Sequence, residues 1–148
     1  MRKLIILLFL MPLLSTAQIN ALVTRVIDGD TFEATWNASQ HTIRLEGVDS
    51  PEMSQSYGES SKKALERLIL NKIVSVSPKG KDHYGRVVAT VYYRYLDVGE
   101  VLLKEGACWV YPKYNDNPQY PEFESWAKDN RLGLWKEDGP TPPWEFRN

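Results

Sequence analysis

Residues 22–36 have the sequence LVTRVIDGDTFEATW, which is typical of a β-hairpin. The first half is rich in branched side chains, and the Asp-Gly pair at 28–29 is a strong signal for a two-residue turn between strands. After the turn, Phe32, Ala34 and Trp36 alternate with more polar residues, as expected of a strand with one buried face. The segment therefore predicts two antiparallel strands.

Three further strands are predicted downstream. Residues 37–40 form a second turn, which leads into a third strand that ends near residue 46. Residues 73–77 and 87–93 are rich in branched and aromatic side chains and predict two more strands, joined by the polar, glycine-containing segment 78–86. Strands this short must close on one another or be covered to bury their apolar faces.

Three helices complete the prediction. The first spans about residues 59–70, where apolar side chains fall on one stripe. Asp97 is a candidate N-cap for a second helix that stops at Gly106, with Glu100 completing a capping-box-like pattern. The third spans about residues 122–130, and the proline-rich tail after it is expected to be irregular. Five strands with three helices predict an α+β, mainly β fold: a five-stranded Greek-key barrel of the OB type.

The composition is that of a soluble globular protein with one core. The chain has 148 residues, 43% hydrophobic and 25% charged, which is enough for one domain. Its one cysteine, Cys108, cannot form an internal disulfide, and apolar neighbours predict a buried structural thiol.

The first 17 residues have the layout of a secretory signal peptide. A basic start precedes an apolar run over residues 4–14, and small residues at 15–17 offer a cleavage site. The alternative is a membrane anchor, but the run is shorter than the roughly 20 residues that span a bilayer. We therefore expect one domain at residues 18–148, exported to the periplasm or medium, without stable membrane association.

The charge balance excludes a simple electrostatic nucleic-acid binder. Removal of residues 1–17 takes two of the 18 basic residues and none of the 19 acidic ones, so the formal charge becomes −3. A sequence-specific DNA reader is usually basic. Attraction to phosphate would have to come from a local basic cluster or a bound cation.

Five charged residues stand beside predicted turns and strand ends: Asp30, Arg44, Asp49, Glu52 and Arg86. Each local pattern has an ordinary alternative. Residues 28–31 can be turn chemistry alone, residues 50–52 can start a helix, and residues 84–86 can be a solvated loop.

Together the five residues favour phosphodiester hydrolysis. Hard carboxylate oxygens suit calcium, with waters filling the remaining positions. A cation and two guanidinium groups would neutralise charge on the phosphate oxygens, and a carboxylate would take a proton from the attacking water.

Three ordered blocks resemble the signatures of the staphylococcal nuclease (thermonuclease) family: VIDGDT at 26–31, RLEGVDSPE at 44–52 and DHYGR at 82–86. The ending, with GLW at 133–135 and PPW at 142–144, is also similar to bacterial members. The resemblance covers about residues 20–146 and implies an OB barrel with three helices.

The resemblance also implies roles at matching positions. Asp30 and Asp49 would bind Ca²⁺ by carboxylate and Ser50 by its backbone carbonyl, with Asp28 in the outer shell. Glu52 would act on the attacking water as general base or as its positioner.

Arg44 and Arg86 would clamp the scissile phosphate, and Tyr84 would touch a neighbouring one. Family members cleave DNA and RNA with little sequence preference and leave 3′-phosphate ends. We expect a monomer that prefers single strands.

Three departures from the family pattern bear on substrate preference. Residues 53–57 form a shorter loop, His83 replaces a phosphate-contacting lysine, and Pro112 stands near a base-stacking tyrosine, between Tyr111 and Tyr114. For His83 an exposed loop position is the favoured interpretation. The tyrosines at 92, 93 and 95 can stack bases, although packing on the core is favoured.

Two other classes compete with the nuclease. A catalytically inactive OB module would bind nucleic acid or protein, but decayed copies lose acids or arginines, and all five are present here. An exported structural or adhesion domain would leave the charged residues unexplained. A calcium-dependent endonuclease is therefore the predicted function.

Overall fold

A computed structural model describes residues 18–148. The predicted signal peptide at 1–17 lies outside the described residues. The strands are β1 (Ile19–Val26), β2 (Thr31–Trp36), β3 (Ser39–Leu45), β4 (Val48–Asp49), β5 (Ile73–Lys81), β6 (Val87–Tyr93), β7 (Leu96–Asp97) and β8 (Trp109–Val110). The helices are α1 (Gly58–Ile69), α2 (Val98–Lys104), α3 (Tyr120–Asp129), a 3₁₀ helix (Gly133–Lys136) and α4 (Pro143–Phe146).

Five strands form a closed barrel, as predicted. Antiparallel pairing gives the order β3-β2-β1-β5-β6, and a parallel pair between β3 and β6 closes it, with Ile43 opposite Val87. The short strand β7 extends the sheet beyond β6, and β4 pairs separately with β8. Closure removes the free sheet edges and brings the end of β3 beside the start of β6.

The barrel interior is filled by the alternating apolar residues of the strands. Phe32, Ile43, Val76 and Val91 are at most 1% exposed. The same cluster includes residues of α1 and α2, so these helices cover the barrel. The prediction of a buried structural Cys108 is confirmed, since this residue belongs to the same core.

The second helix begins where the sequence predicted. The Asp97 carboxylate accepts hydrogen bonds from the backbone N–H groups of Gly99 and Glu100, at 2.8 and 3.2 Å. The capping box is only half formed, because the Glu100 side chain pairs with Lys104. Asp97 also accepts a hydrogen bond from the hydroxyl of Tyr120 at 2.9 Å, which joins α2 to α3.

Four local predictions were wrong. β5 continues to Lys81 through an irregularity between Pro78 and Gly80, so the first four residues of the predicted connection 78–86 are strand. Proline is tolerated where the ladder is broken. The first hairpin leaves residues 27–30 between its strands, rather than a two-residue turn. The tail contains the one-turn helix α4 instead of being wholly irregular. Tyr95 is fully exposed rather than packed on the core.

Within residues 18–148, no helix is long and apolar enough to cross a membrane.

Candidate active site

A cleft of about 510 Å³ collects every site residue that the sequence predicted. The first hairpin connection supplies Asp28 and Asp30, the end of β3 supplies Arg44, and β4 supplies Asp49. The remaining predicted residues that line the cleft come from the loop after β4 and from the turn between β5 and β6: Ser50, Glu52, Tyr84 and Arg86. The parallel pairing of β3 with β6 explains why Arg44 and Arg86 meet in this cleft, since it sets Arg44 opposite Val88, two residues after Arg86.

Arg44 lies at the centre of the site. Its Nε is 3.1 Å from Asp30 Oδ1 and its Nη2 is 3.0 Å from Asp49 Oδ1. Its Nη1 donates to the backbone carbonyl oxygens of Leu45 and Val48, both at 2.7 Å. The side chain is 12% exposed, and those of the two aspartates are 5% and 2% exposed. The guanidinium therefore holds two buried carboxylates close together.

Asp30 is further fixed by the loop after β4. Its Oδ2 accepts the backbone N–H of Ser50 at 2.6 Å, and its Oδ1 accepts the hydroxyl of Thr31 at 2.9 Å. The hairpin can approach this loop because residue 29 is glycine: a Cβ there would lie 2.7 Å from the Cβ of Ser50 and would collide with the Ser61 hydroxyl. The glycine thus serves the approach of two site segments.

Asp28 has a turn role as well as a place in the cleft. Its Oδ1 accepts the backbone N–H of Asp30 at 3.0 Å, so the turn-chemistry interpretation is correct for this residue. Burial, followed by repulsion from the Asp30 carboxylate, raises the pKa of Asp28 to about 6. The pKa of Asp49 is also raised, chiefly by burial.

Glu52 belongs to a loop and not to a helix start. Helix α1 begins at Gly58, near the predicted start at residue 59, so the alternative in which residues 50–52 start a helix does not hold. The chain folds back on itself here, and the two segments approach so closely that a Cβ at Gly58 would collide with the carbonyl oxygen of Glu52. The Glu52 side chain is 38% exposed and lines the cleft.

Arg86 is held differently from Arg44. Its Nε lies 2.7 Å from Asp82 Oδ2, and its side chain is 30% exposed. Its guanidinium also lies 5.3 Å from the ring centre of Tyr84, which is 73% exposed. Arg86 and Tyr84 therefore form an accessible wall of the cleft. His83 is exposed beside them, with its ring 3.9 Å from that of Tyr84, which agrees with an exposed loop position.

The sequence did not predict Arg147 as a site residue. Its Nη2 donates to Asp49 Oδ2 at 2.8 Å and its Nη1 to Glu52 Oε1 at 2.7 Å. Hydrogen bonding to Asp49 is the main cause of a raised pKa for Arg147. No local signal distinguishes this arginine, because its partners lie 98 and 95 residues earlier in the chain.

The aromatic residues at one side of the cleft pack on the C-terminal tail. Tyr111 and Tyr114 line the cleft, on either side of Pro112 in sequence, with their rings 4.8 Å apart. The ring of Tyr111 also stacks on Trp144 at 5.6 Å, with an angle of 4° between their planes.

A hard divalent cation requires oxygen donors that lie close together. In the described part of the chain, no three side chains of histidine, cysteine, aspartate or glutamate converge as a metal site. The two buried carboxylates of Asp30 and Asp49 do converge on Arg44, with the Ser50 backbone bonded to the first. Two carboxylates, a carbonyl and waters are a donor set that calcium accepts.

The formal charge of the cleft agrees with this donor set. Six carboxyl groups line it: Asp28, Asp30, Glu46, Asp49, Glu52 and Asp82. Three arginines line it as well: Arg44, Arg86 and Arg147. When all are ionised, three negative charges remain uncompensated, which favours binding of a divalent cation. The residues present therefore fit such an ion.

The comparisons with known proteins agree with one another. A family model described as staphylococcal nuclease homologue matches residues 42–137. The chain is 37% identical over 152 residues to a protein of Escherichia coli named an uncharacterized endonuclease, covering 100% of this chain and 99% of that one. An uncharacterized endonuclease of Haemophilus influenzae is 35% identical over 126 residues, 84% of this chain and 71% of that protein. A staphylococcal-like nuclease of Arabidopsis thaliana is 36% identical over 110 residues, 74% of this chain and 34% of the plant protein.

Proposed function

This chain belongs to the staphylococcal nuclease family, and we propose that it is a calcium-dependent endonuclease. Its reaction would be hydrolysis of phosphodiester bonds in DNA and RNA, with little sequence preference and with 3′-phosphate ends as products. The observation that carries the proposal is the Arg44 guanidinium, 12% exposed, which joins the buried carboxylates of Asp30 and Asp49 in the same cleft as Glu52. A surface charge cluster would not require an arginine with four polar partners and so little exposure.

Asp30 and Asp49 would hold the cation through their carboxylates, and Ser50 through its backbone carbonyl. A bound divalent cation supplies neutralisation of the negative charge that develops on the phosphate oxygens. Asp28 would act from outside this set, since its carboxylate is engaged with the backbone N–H of Asp30.

Glu52 is the proposed proton acceptor for the attacking water, or the group that positions it. A carboxylate that is 38% exposed in a cleft can reach a water molecule and the substrate together. Arg44 and Arg86 both line the cleft and would bind the oxygens of the scissile phosphate. Planar guanidinium groups suit this task because their paired N–H donors match two phosphate oxygens.

Substrate binding beyond the reacting phosphate would use the exposed wall of the cleft. Tyr84 would contact a neighbouring phosphate, and Tyr111 and Tyr114 offer ring faces to unstacked bases. This arrangement favours single-stranded DNA or RNA. We further propose that the protein is exported to the periplasm or the medium with residues 1–17 removed, and that it acts as a monomer without membrane association.

The test uses purified residues 18–148 with plasmid DNA, single-stranded DNA and RNA, each in calcium, magnesium or chelator. We expect cleavage of all three in calcium, little in magnesium because it requires stricter octahedral geometry, and none in chelator. Product ends are assigned by their sensitivity to a 3′-phosphatase. Undiminished cleavage after exhaustive chelation would refute the metal requirement.

A matched pair of variants separates chemistry from folding. Glu52→Gln removes the proton acceptor, and kcat is expected to fall about 10²- to 10⁴-fold. Glu59→Gln makes the same change on α1, where the side chain is 63% exposed and pairs with Lys63, and is expected to keep the parent rate. Nucleic-acid binding without turnover in the wild type would identify an inactive binding module instead.

A further inference from the structure

Arg147 bridges two acidic residues of the proposed active site, Asp49 and Glu52. One guanidinium nitrogen donates to Glu52 Oε1 at 2.7 Å and to Asp49 Oδ1 at 3.3 Å, and the other donates to Asp49 Oδ2 at 2.8 Å. Within residues 18–148, Arg147 is the only hydrogen-bond partner of the Glu52 carboxylate. The residue lies outside the span that the family model matches.

We propose that Arg147 is a positioning residue that orients the Glu52 carboxylate for proton transfer, and that the C-terminal segment 141–148 is part of the active site. This inference rests on the proposed nuclease function. Glutamate has three rotatable side-chain bonds, and a proton acceptor works only when it stays within hydrogen-bond reach of its water. The guanidinium of Arg147 binds the buried carboxylate of Asp49 and the carboxylate of Glu52 at the same time, which limits the rotations of the Glu52 side chain.

The backbone of Glu52 is tied to the same segment. The Gln55 side chain accepts the N–H of Glu52 at 2.7 Å and donates to the carbonyl oxygen of Thr141 at 2.9 Å. Close by, the hydroxyl of Ser56 donates to the carboxylate of Glu137 at 2.8 Å. The loop that carries Glu52 is therefore attached to the C-terminal region at three points, which include both the backbone and the side chain of the proposed base.

Aromatic packing holds the segment in place. Trp144 stacks on Tyr111 and presents an edge-to-face contact to Trp109 at 5.8 Å, and Pro143 at the start of α4 is buried. One turn of helix then carries the chain from Trp144 to Arg147. An extended tail without this docking would leave the arginine in solvent. Trp144 thus sets the place from which Arg147 reaches the cleft.

The electrostatics give the proposal a second readout, independent of activity. Arg147 places a positive charge against Asp49, a proposed cation ligand, and uses both of its oxygens. Removing the arginine frees Asp49 Oδ2, leaves Oδ1 bonded to Arg44 alone and makes the cleft more negative, so calcium should bind more tightly while catalysis weakens. A residue with only a structural role would weaken both, because a loosened site loses ligands and base together.

The experiment measures kcat, KM and calcium affinity for Arg147→Ala, Arg147→Lys and a chain that ends at Phe146. We expect kcat to fall about 10- to 100-fold in Arg147→Ala, with little change in KM, a calcium Kd several-fold lower by titration calorimetry, and partial recovery of kcat in Arg147→Lys. The shortened chain keeps Trp144 and should behave as Arg147→Ala does. Arg25→Ala is the matched control, since Arg25 forms a two-pronged pair with Glu33 at 2.8 and 2.6 Å outside the cleft.

A double variant shows whether Arg147 acts through Glu52. In the Glu52→Gln background, Arg147→Ala should cause little further loss of kcat, because the group it orients is gone. Three results would each overturn the proposal: effects of the two substitutions on kcat that multiply in the double variant, a weaker calcium affinity in Arg147→Ala, or an unchanged kcat in Arg147→Ala. If the wild type still cleaves nucleic acid, the nuclease function is unaffected by these results. If the wild type cleaves no substrate with any cation, the proposed nuclease function is refuted, and the role of Arg147 with it.

Discussion

Arg44 and Arg86 can be separated by their effects on stability. In the absence of a cation, Arg44→Lys is expected to destabilise the fold, whereas Arg86→Lys should leave stability almost unchanged. Arg44 is 12% exposed and serves two buried carboxylates and two backbone carbonyls. Arg86 is 30% exposed, and its side chain forms one ion pair, with Asp82 in the same turn.

The magnitude follows from the contacts that lysine cannot keep. One ammonium group can replace Nη1 near the carbonyls of Leu45 and Val48, but not Nε and Nη2 as well. A hydrogen bond to Asp49, worth about 1.5–3 kcal/mol, and the ion-pair contact with Asp30 are then lost. The retained positive charge offsets part of this loss, so we expect the free energy of unfolding to fall by about 2–4 kcal/mol. An exposed ion pair such as that of Arg86 contributes about 0–1 kcal/mol.

Urea unfolding in chelator measures this difference, with Arg25→Lys as the control for an exposed arginine pair. Saturating calcium should restore part of the stability of Arg44→Lys, because a ligand that binds the folded state stabilises it. Both Arg44→Lys and Arg86→Lys should lower kcat/KM by about 10²- to 10³-fold, since lysine cannot reproduce the planar guanidinium at the proposed phosphate site. Equal unfolding midpoints for the two variants in chelator would refute the conclusion that Arg44 joins the buried carboxylates.

Three further predictions concern pH, helix capping and export. The folded-state pKa of Asp28, about 6, lies above its ordinary value of 3.8, so protonation of Asp28 favours the folded state. This contribution to stability is complete below pH 3.8 and is lost as the pH rises through about 6. Asp28→Asn should therefore flatten that part of a stability–pH profile recorded in chelator, and an unaltered profile would disprove the assignment. Asp97→Ala removes the cap of α2 and the partner of the Tyr120 hydroxyl, so the free energy of unfolding should fall by about 1–3 kcal/mol; a loss no larger than that of the exposed Asp129→Ala would contradict the capping role. Exported protein should begin near Gln18 by N-terminal sequencing, and recovery of residues 1–14 intact in the membrane fraction would show an anchor instead.

Much of the fold could be predicted because its signals are local. The alternation in β2 and the apolar stripe of α1 depend on neighbouring residues, and both elements lie within a residue or two of their predicted bounds. The predictions failed where tertiary contacts overrode local preference. Pro78 and Gly80 are typical of a loop, but pairing with β6 draws them into β5 with a local irregularity. Glu52 follows a Ser-Pro pair typical of a helix start, yet the loop folds back against Gly58.

The sequence by itself determined the chemistry that the cleft can perform, because side-chain type and order are enough to predict which groups are acids, which are guanidinium donors and which family they resemble. Only the tertiary structure decided how those groups are paired. Closure of the barrel between β3 and β6 places Arg44 between two buried carboxylates. The turn between β5 and β6 instead pairs Arg86 with Asp82 at an accessible wall of the cleft. Packing of Trp144 on Tyr111 brings Arg147 to Glu52 and Asp49, which lie 95 and 98 residues earlier in the chain. Such long-range contacts arise from many weak packing interactions summed over the whole fold, and no short stretch of sequence encodes them.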